Sequence, residues 1–176
     1  MRPMKHLFID MDGVLSDFDS KWVDVFNEHP SESFNSEKWK RFCEGRNFLT
    51  LDLYPGASQL IAYLNELKKF PDISINILSS TGGYEYHDLI QDQKIYWLKS
   101  HRIDLNPIFV PGKKFKRYHA KVNKLLVDDH IENCSEFIQH GGVSHLYTEP
   151  RQAIIFIDEF LKGNYATTTL SDLHHQ

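Results

Sequence analysis

The chain of 176 residues has only two cysteines, Cys43 and Cys134, far apart in sequence, so it carries no disulfide framework. Both read as reduced thiols of a cytosolic protein. No apolar run approaches the roughly 20 residues that span a bilayer. The stretch MRPMKHLFID lacks the apolar segment of a signal peptide. A cytoplasmic protein without a membrane partner is therefore expected. There is no excess of positive charge: the formal net charge is −4, which argues against a protein that coats nucleic acid. No stable nucleic-acid complex is expected. Internal repeats and low-complexity blocks are missing too.

What is present is ordinary for a soluble globular domain, with 41% hydrophobic and 25% charged residues. The length suits one domain with a sizeable core. One segment stands apart. Between Lys113 and Lys124 there are six Lys and Arg residues and no acid. Most of these charges are expected in solvent, with one lysine turned inward. An anionic substrate stays compatible with the net charge, because local charge decides that.

Apolar runs and helical stripes alternate along the chain. HLFI (6–9) reads as a buried strand, followed by Phe18, Trp22, Val25 and Phe26 at helical spacing. The stretch 30–55 is irregular, with one short helix around Trp39. Pro55-Gly56 opens a helix with Leu60, Ile61, Leu64 and Leu67 on one face. ISINIL (73–78) is a second strand, ended by SSTGG, and a helix follows from about Tyr86 to Lys99. PIFV (107–110) and KLLV (124–127) are further strands. A helix from Ile131 to Gln139 carries Ile131, Cys134 and Ile138 inward, then VSHLY makes a fifth strand. A last helix, 150–161, turns Ile154, Ile157 and Leu161 inward. Strands alternating with helices imply an α/β fold with a mainly parallel sheet. The core is expected at 1–16 and 72–162, a small helical cap inserted after the first strand at 17–71, and a polar tail at 163–176.

In such sheets ligands bind beyond the carboxyl ends of the strands. Three strands end in polar groups there: Asp10 and Asp12, Ser79 and Ser80, Asp128 and Asp129. Several carboxylates in one small volume repel one another. A hard cation removes that cost, and oxygen-only ligands of this kind suit Mg²⁺.

DMDG from Asp10, INILSS and LLVDD resemble motifs I, II and IV of the haloacid dehalogenase-like (HAD) phosphatases, in the same order, each at a strand end. The resemblance spans roughly residues 5–148. DMDGVLSDF, NFLTLDLYPGA, ILSS and KIYWLKSH look most like the small cap-bearing 5′(3′)-deoxyribonucleotidases, and related small bacterial and phage hydrolases share the pattern. It implies a Rossmann-like HAD fold, Mg²⁺, and a phosphomonoesterase acting on a small phosphorylated substrate, a (deoxy)nucleoside monophosphate. It implies Asp10 as nucleophile and Asp12 as acid and base, with Asp10, Asp12, Asp128 and Asp129 around the metal. Ser79 would bind the phosphoryl group with the N–H groups of Ser80 and Thr81. The family's lysine is either Lys116 or Lys121, which precede the Asp pair by 12 and 7 residues; Lys116 is preferred, and Lys113 and Lys114 rank lower. In the nucleotidases a residue matching Phe18, and cap aromatics, pack against the base; Phe18 and Phe48 are the candidates here.

Each feature has a plainer reading. Asp10 and Asp12 could turn the chain at a strand end. Ser79 and Ser80 could cap the next helix, and so could Asp128 and Asp129. Trp22 and Trp39 fit the cap's own core better than a ligand site. His119, His130, His140 and His145 lack metal-ligand spacing. Competing functions are a phosphatase for another small phosphoester or for a nucleic-acid end, and a HAD-fold binding protein without turnover. A homodimer is left open.

Overall fold

A computed structural model describes residues 3–164. The tail expected from 163 lies, from residue 165 on, outside the described residues. Five parallel strands form one sheet: β1 (Lys5–Ile9), β2 (Ile73–Ser80), β3 (Asn106–Val110), β4 (Lys124–Asp128) and β5 (Val143–Leu146). Their order is β3-β2-β1-β4-β5. The strand direction of travel reverses at β1, so β1 and β4 are neighbours and open the crevice where such sheets bind ligands.

The helices are α1 (Phe18–Phe26), α2 (Pro30–Ser33), α3 (Ser36–Glu44), α4 (Ala57–Leu67), α5 (His87–Ser100), α6 (Ile131–Gln139) and α7 (Pro150–Lys162). Short 3-10 turns cover Asn47–Thr50 and Lys113–His119. Alternate residues of each strand face opposite sides of the sheet. Leu7, Ile9, Ile77, Leu125 and Val127 join the core under α4, α5 and α7. Phe8, Leu78 and Leu126 pack on Phe137 of α6 from the other side. Because both faces are covered, β1 is almost wholly apolar where it is buried, as the sequence reading expects.

Two inward stripes differ from expectation. On α6 the buried residues are Asn133, Cys134 and Phe137, while Ile131 is exposed. The helix is rotated because Asn133 reaches back to Asp128, donating to both carboxylate oxygens at 3.1 Å. On α7 the buried face is Ala153, Phe156, Ile157 and Phe160, with Ile154 and Leu161 half-buried. Phenylalanines fill the deeper positions.

The cap is built by α1, α2, α3 and the 47–50 turn. Helix α4, placed with the cap by the expected boundaries, instead lies on α7 of the core. Tyr63 Oη donates to Asp158 Oδ1 at 2.6 Å, and Gly56 abuts Pro150. The cap's outgoing and returning segments pair with each other: Asp17 N–H donates to Asp52 O at 2.9 Å and Tyr54 N–H to Leu15 O at 2.9 Å.

Candidate active site

Register brings the two acidic strand ends together. Ile9 is level with Val127, and Asp10 N–H donates to Val127 O at 2.9 Å, so Asp10 falls beside Asp128. Both are buried. Lys116, in the turn of the basic segment, enters between them fully buried, with Nζ 2.8 Å from Asp10 Oδ1 and 2.7 Å from Asp128 Oδ2. Lys116 is thus the lysine that reaches the carboxylates. Lys121 is exposed, as are Lys113 and Lys114. Met11 N–H also donates to Asp10 Oδ1, at 2.8 Å, which fixes the carboxylate's orientation.

Asp128 takes part in the start of α6 as well, accepting from His130 N–H at 2.9 Å. Neither Asp128 nor Asp129 is the cap of α6, as their plainer reading has it: the N-cap is His130, with no side-chain cap bond, and Asp128 only holds the backbone N–H of that residue. Asp129 comes close to Gly13: a Cβ on residue 13 would lie 2.1 Å from Asp129 Oδ2, and residue 13 has φ +82°. Only glycine satisfies both demands.

One oxygen of each of Asp10, Asp128 and Asp129 lies within 4.8 Å of the others. If all three ionise, a single ammonium leaves two negative charges uncompensated. The pKa directions reflect this. Burial, then repulsion from Asp128, push Asp10 up to about 8 against the pull of Lys116. Burial and Asp128 push Asp129 up to about 6. For Asp128 burial also works upward, but Lys116, His130 N–H and Asn133 outweigh it and hold the group below the usual range. For Lys116 burial works downward, and Asp10 and Asp128 together lift it above its ordinary value. Asp129 Oδ1 is buried with no hydrogen-bond partner among the described residues. An all-oxygen set with two excess charges and an orphaned carboxylate oxygen fits a divalent hard cation such as Mg²⁺.

Asp12 sits apart from this trio. Its Oδ1 accepts from Ser16 Oγ at 2.9 Å and its Oδ2 from Lys94 Nζ at 2.7 Å. Lys94, fully buried on α5, is a residue that sequence reasoning missed. A detectable signal existed: it occupies the apolar stripe of its helix, between Ile90 and Trp97.

Above these groups lies a cavity of about 650 Å³, a size usual for small-molecule sites. Asp10, Asp12 and Lys116 line its floor and Phe18, Phe34, Trp39 and Phe48 its cap side. Phe18 and Phe48 stack at 5.9 Å with an interplanar angle of 23°. Trp39, expected in the cap's core, instead reaches the cavity and closes onto the core, its ring 2.7 Å from where a Cβ on Gly82 would be. Trp22 is fully buried and does belong to the cap's core.

On β2 it is Ser80 that lines the cavity. Ser79 is buried behind it and accepts from Lys94 Nζ at 2.8 Å. Thr81 Oγ1 is engaged by His87 Nδ1 at 2.7 Å and by the carbonyl of Val110 at 3.3 Å. Neither serine caps α5, which starts at His87 with Tyr86 as its N-cap. His130 borders the cavity, whereas His145 is buried on β5.

Among solved structures, the chain is similar to a dehalogenase determined with an intermediate complex, with a TM-score of 0.52 and 10% identity over 82% of this chain and 84% of that one. This likeness shows a shared α/β fold. The HAD domain of the effector protein Lem4 from Legionella pneumophila aligns at a TM-score of 0.48 and 16% identity, over 95% of this chain and 99% of that one. D,D-heptose 1,7-bisphosphate phosphatase from Burkholderia thailandensis aligns at a TM-score of 0.46 and 12% identity, over 86% of this chain and 84% of that one. No protein-family model and no curated protein matches the sequence. At such identities the likeness is one of fold, and the chemistry has to be read from the side chains.

Proposed function

We propose that the protein is a Mg²⁺-dependent phosphomonoesterase that works through an aspartyl-phosphate, with a (deoxy)nucleoside monophosphate as substrate. The observation that carries this reading is the floor of the cavity: Asp10, held by Lys116 at 2.8 Å, faces the same space as Asp12.

The Asp10 carboxylate attacks phosphorus, and the bond from phosphorus to the ester oxygen breaks. The departing oxygen takes a proton from Asp12. A water then attacks the phosphorus, gives a proton to Asp12, and releases inorganic phosphate and the free Asp10 carboxylate. Lys116 offsets charge on Asp10 and on the phosphoryl oxygens. Ser80 and the backbone around Gly82 contact the phosphoryl group. Asp10, Asp128 and Asp129, with the carbonyl of Asp12, would hold the cation, which supplies charge neutralisation for a dianionic substrate.

The nucleotide part rests on the cap side. Phe18, Phe34, Trp39 and Phe48 offer apolar ring faces, and base–aromatic stacking contributes about 1–3 kcal/mol per base. A second reading, the phosphorylated end of a nucleic acid, is favoured by the rim. Lys113 borders the cavity, and exposed Tyr84 and Tyr118 flank Phe115 at 6.2 Å and 6.0 Å.

The test is Mg²⁺-dependent phosphate release from a panel of 5′ and 3′ nucleotides, ribo and deoxyribo, beside phosphorylated oligonucleotides, with wild type and Asp10→Asn. Release by wild type alone, fastest on mononucleotides, is expected. Equal release by both proteins rejects Asp10 as nucleophile, and faster turnover of oligonucleotides selects the second reading.

A further inference from the structure

The buried face of α5 consists of Ile90, Gln93, Lys94, Trp97 and Leu98. Lys94 lies four residues after Ile90 and three before Trp97, at a position the helical stripe assigns to an apolar side chain. It is fully buried. Taking an ammonium out of water is costly, and a methionine would fill similar volume without that cost. Local rules broken in this way mark functional positions.

All three donors of Lys94 Nζ are engaged. They reach Asp12 Oδ2 at 2.7 Å, Ser79 Oγ at 2.8 Å and the carbonyl of Ser80 at 3.0 Å. The ammonium also sits 5.0 Å from the centre of the Phe48 ring. Its neighbour Gln93 fastens the same part of the cap: Nε2 donates to Cys43 O at 3.0 Å, and Oε1 accepts from Phe48 N–H at 3.2 Å. Lys94 is not among the residues that line the cavity, so it has neither exposure nor a spare donor for substrate.

We infer that Lys94 is a positioning residue for the proton-transfer step: it fixes the Asp12 carboxylate against the end of β2, with Ser16 as the second tether. This inference rests on the phosphatase reading above and adds to it the residue that places the proton donor. A proton from Asp12 matters most when the departing group is a poor one, such as the alkoxide of a sugar or other alcohol. It matters little for an acidic phenol. The nucleoside 5′-monophosphates of that reading are alkyl phosphates, so the placing of Asp12 by Lys94 bears on their release and much less on that of an aryl ester.

The experiment compares wild type, Lys94→Met and Asp12→Asn on two esters under saturating Mg²⁺. One is an alkyl phosphate, glycerol 2-phosphate or a nucleoside 5′-monophosphate, and the other is p-nitrophenyl phosphate. For Lys94→Met, kcat on the alkyl ester is expected to fall about 100-fold, within the range of general acid catalysis, with KM changing less than about threefold. On the aryl ester kcat is expected to fall less than about tenfold. Asp12→Asn should show the same selectivity, and the double variant should lose little more than the worse single one.

Equal losses on the two esters overturn the inference, as does additivity in the double variant. Absence of turnover by wild type on both esters, with Mg²⁺ bound, rejects the phosphatase reading itself and is a separate result. The Asp12 side chain is 29% exposed, so Lys94→Met leaves a carboxylate that water can reach, and folding should survive. If thermal unfolding shows that it does not, Ser16→Ala removes the other tether. An unchanged alkyl-to-aryl ratio in that variant counts against the positioning of Asp12.

Discussion

The floor of the cavity and its roof are assembled by different physics. On the floor, side-chain positions follow from strand register: once β1 pairs with β4, Asp10 and Asp128 are neighbours, and Lys116 completes a buried ion cluster. On the roof, rings position one another. Phe18 contacts Trp22, Trp39, Phe42 and Phe48, and the Lys94 ammonium touches this cluster only at the edge it shares with the floor, 5.0 Å from the Phe48 ring centre. In the proposed reading the floor carries chemistry that tolerates almost no change. The roof carries binding that can be tuned by degrees, since replacing one ring changes apolar area and shape and leaves no buried charge behind.

Substitutions can test that contrast directly. The largest effect is expected for Asp10→Asn, with kcat lowered on the order of 10³-fold or more and substrate affinity retained. Calorimetry on the inactive variant, read beside steady-state rates, checks both halves. Next comes Lys116→Met, which leaves two buried carboxylates without the ammonium between them. Loss of about 3–5 kcal/mol of stability is expected in urea unfolding without added divalent ion, and a smaller loss with it. If the loss is equal in both conditions, the carboxylates do not share a cation.

A third effect concerns pH. Asp10 and Asp129 are raised to about 8 and about 6, above the roughly 4 of an unfolded aspartate. The folded chain holds these protons more tightly than the unfolded one. Their contribution to stability is complete below about pH 4 and is lost as the pH climbs through 6 and then 8. A cation that binds the ionised carboxylates offsets the loss. The rise in Tm on adding Mg²⁺ should therefore be larger at pH 8 than at pH 5, and a rise independent of pH breaks the assignment of the floor.

On the roof, Phe48→Leu should raise KM for nucleotides about tenfold while changing that for glycerol 2-phosphate little, in line with about 1–3 kcal/mol for a stacked base. An equal rise for both would make Phe48 structural only. The smallest effect is expected for Lys121→Ala, within about 0.5 kcal/mol in stability and without change in turnover.

The floor was more legible in the sequence than the roof, and the reason is periodicity. Carboxylates at the ends of apolar runs stand out against β-strands, and parallel pairing then brings them together with no further information. Lys116 was one of two choices because a segment of six cations with no acid looks alike along its length; only the turn at 113–119 selects which one points inward. Ser79 was given the phosphoryl-binding hydroxyl, which the cavity assigns to Ser80, for a related reason. Both end one strand, and their opposite orientations depend on where β2 stops. Trp39 looked like core because its helix pattern shows only that it is covered, and its cover includes Gly82, from a distant part of the chain. Lys94 was passed over because charged residues in helices are ordinarily solvated.

The two crossings between core and cap run side by side, joined by hydrogen bonds between Leu15 and Tyr54 and between Asp17 and Asp52. Both lie within a few residues of Asp12. The joint is thus stitched by backbone bonds on the same short stretch that carries Asp12, so a substitution that loosens the crossing would be felt at that carboxylate before it reached Phe34 on the far side of the cavity.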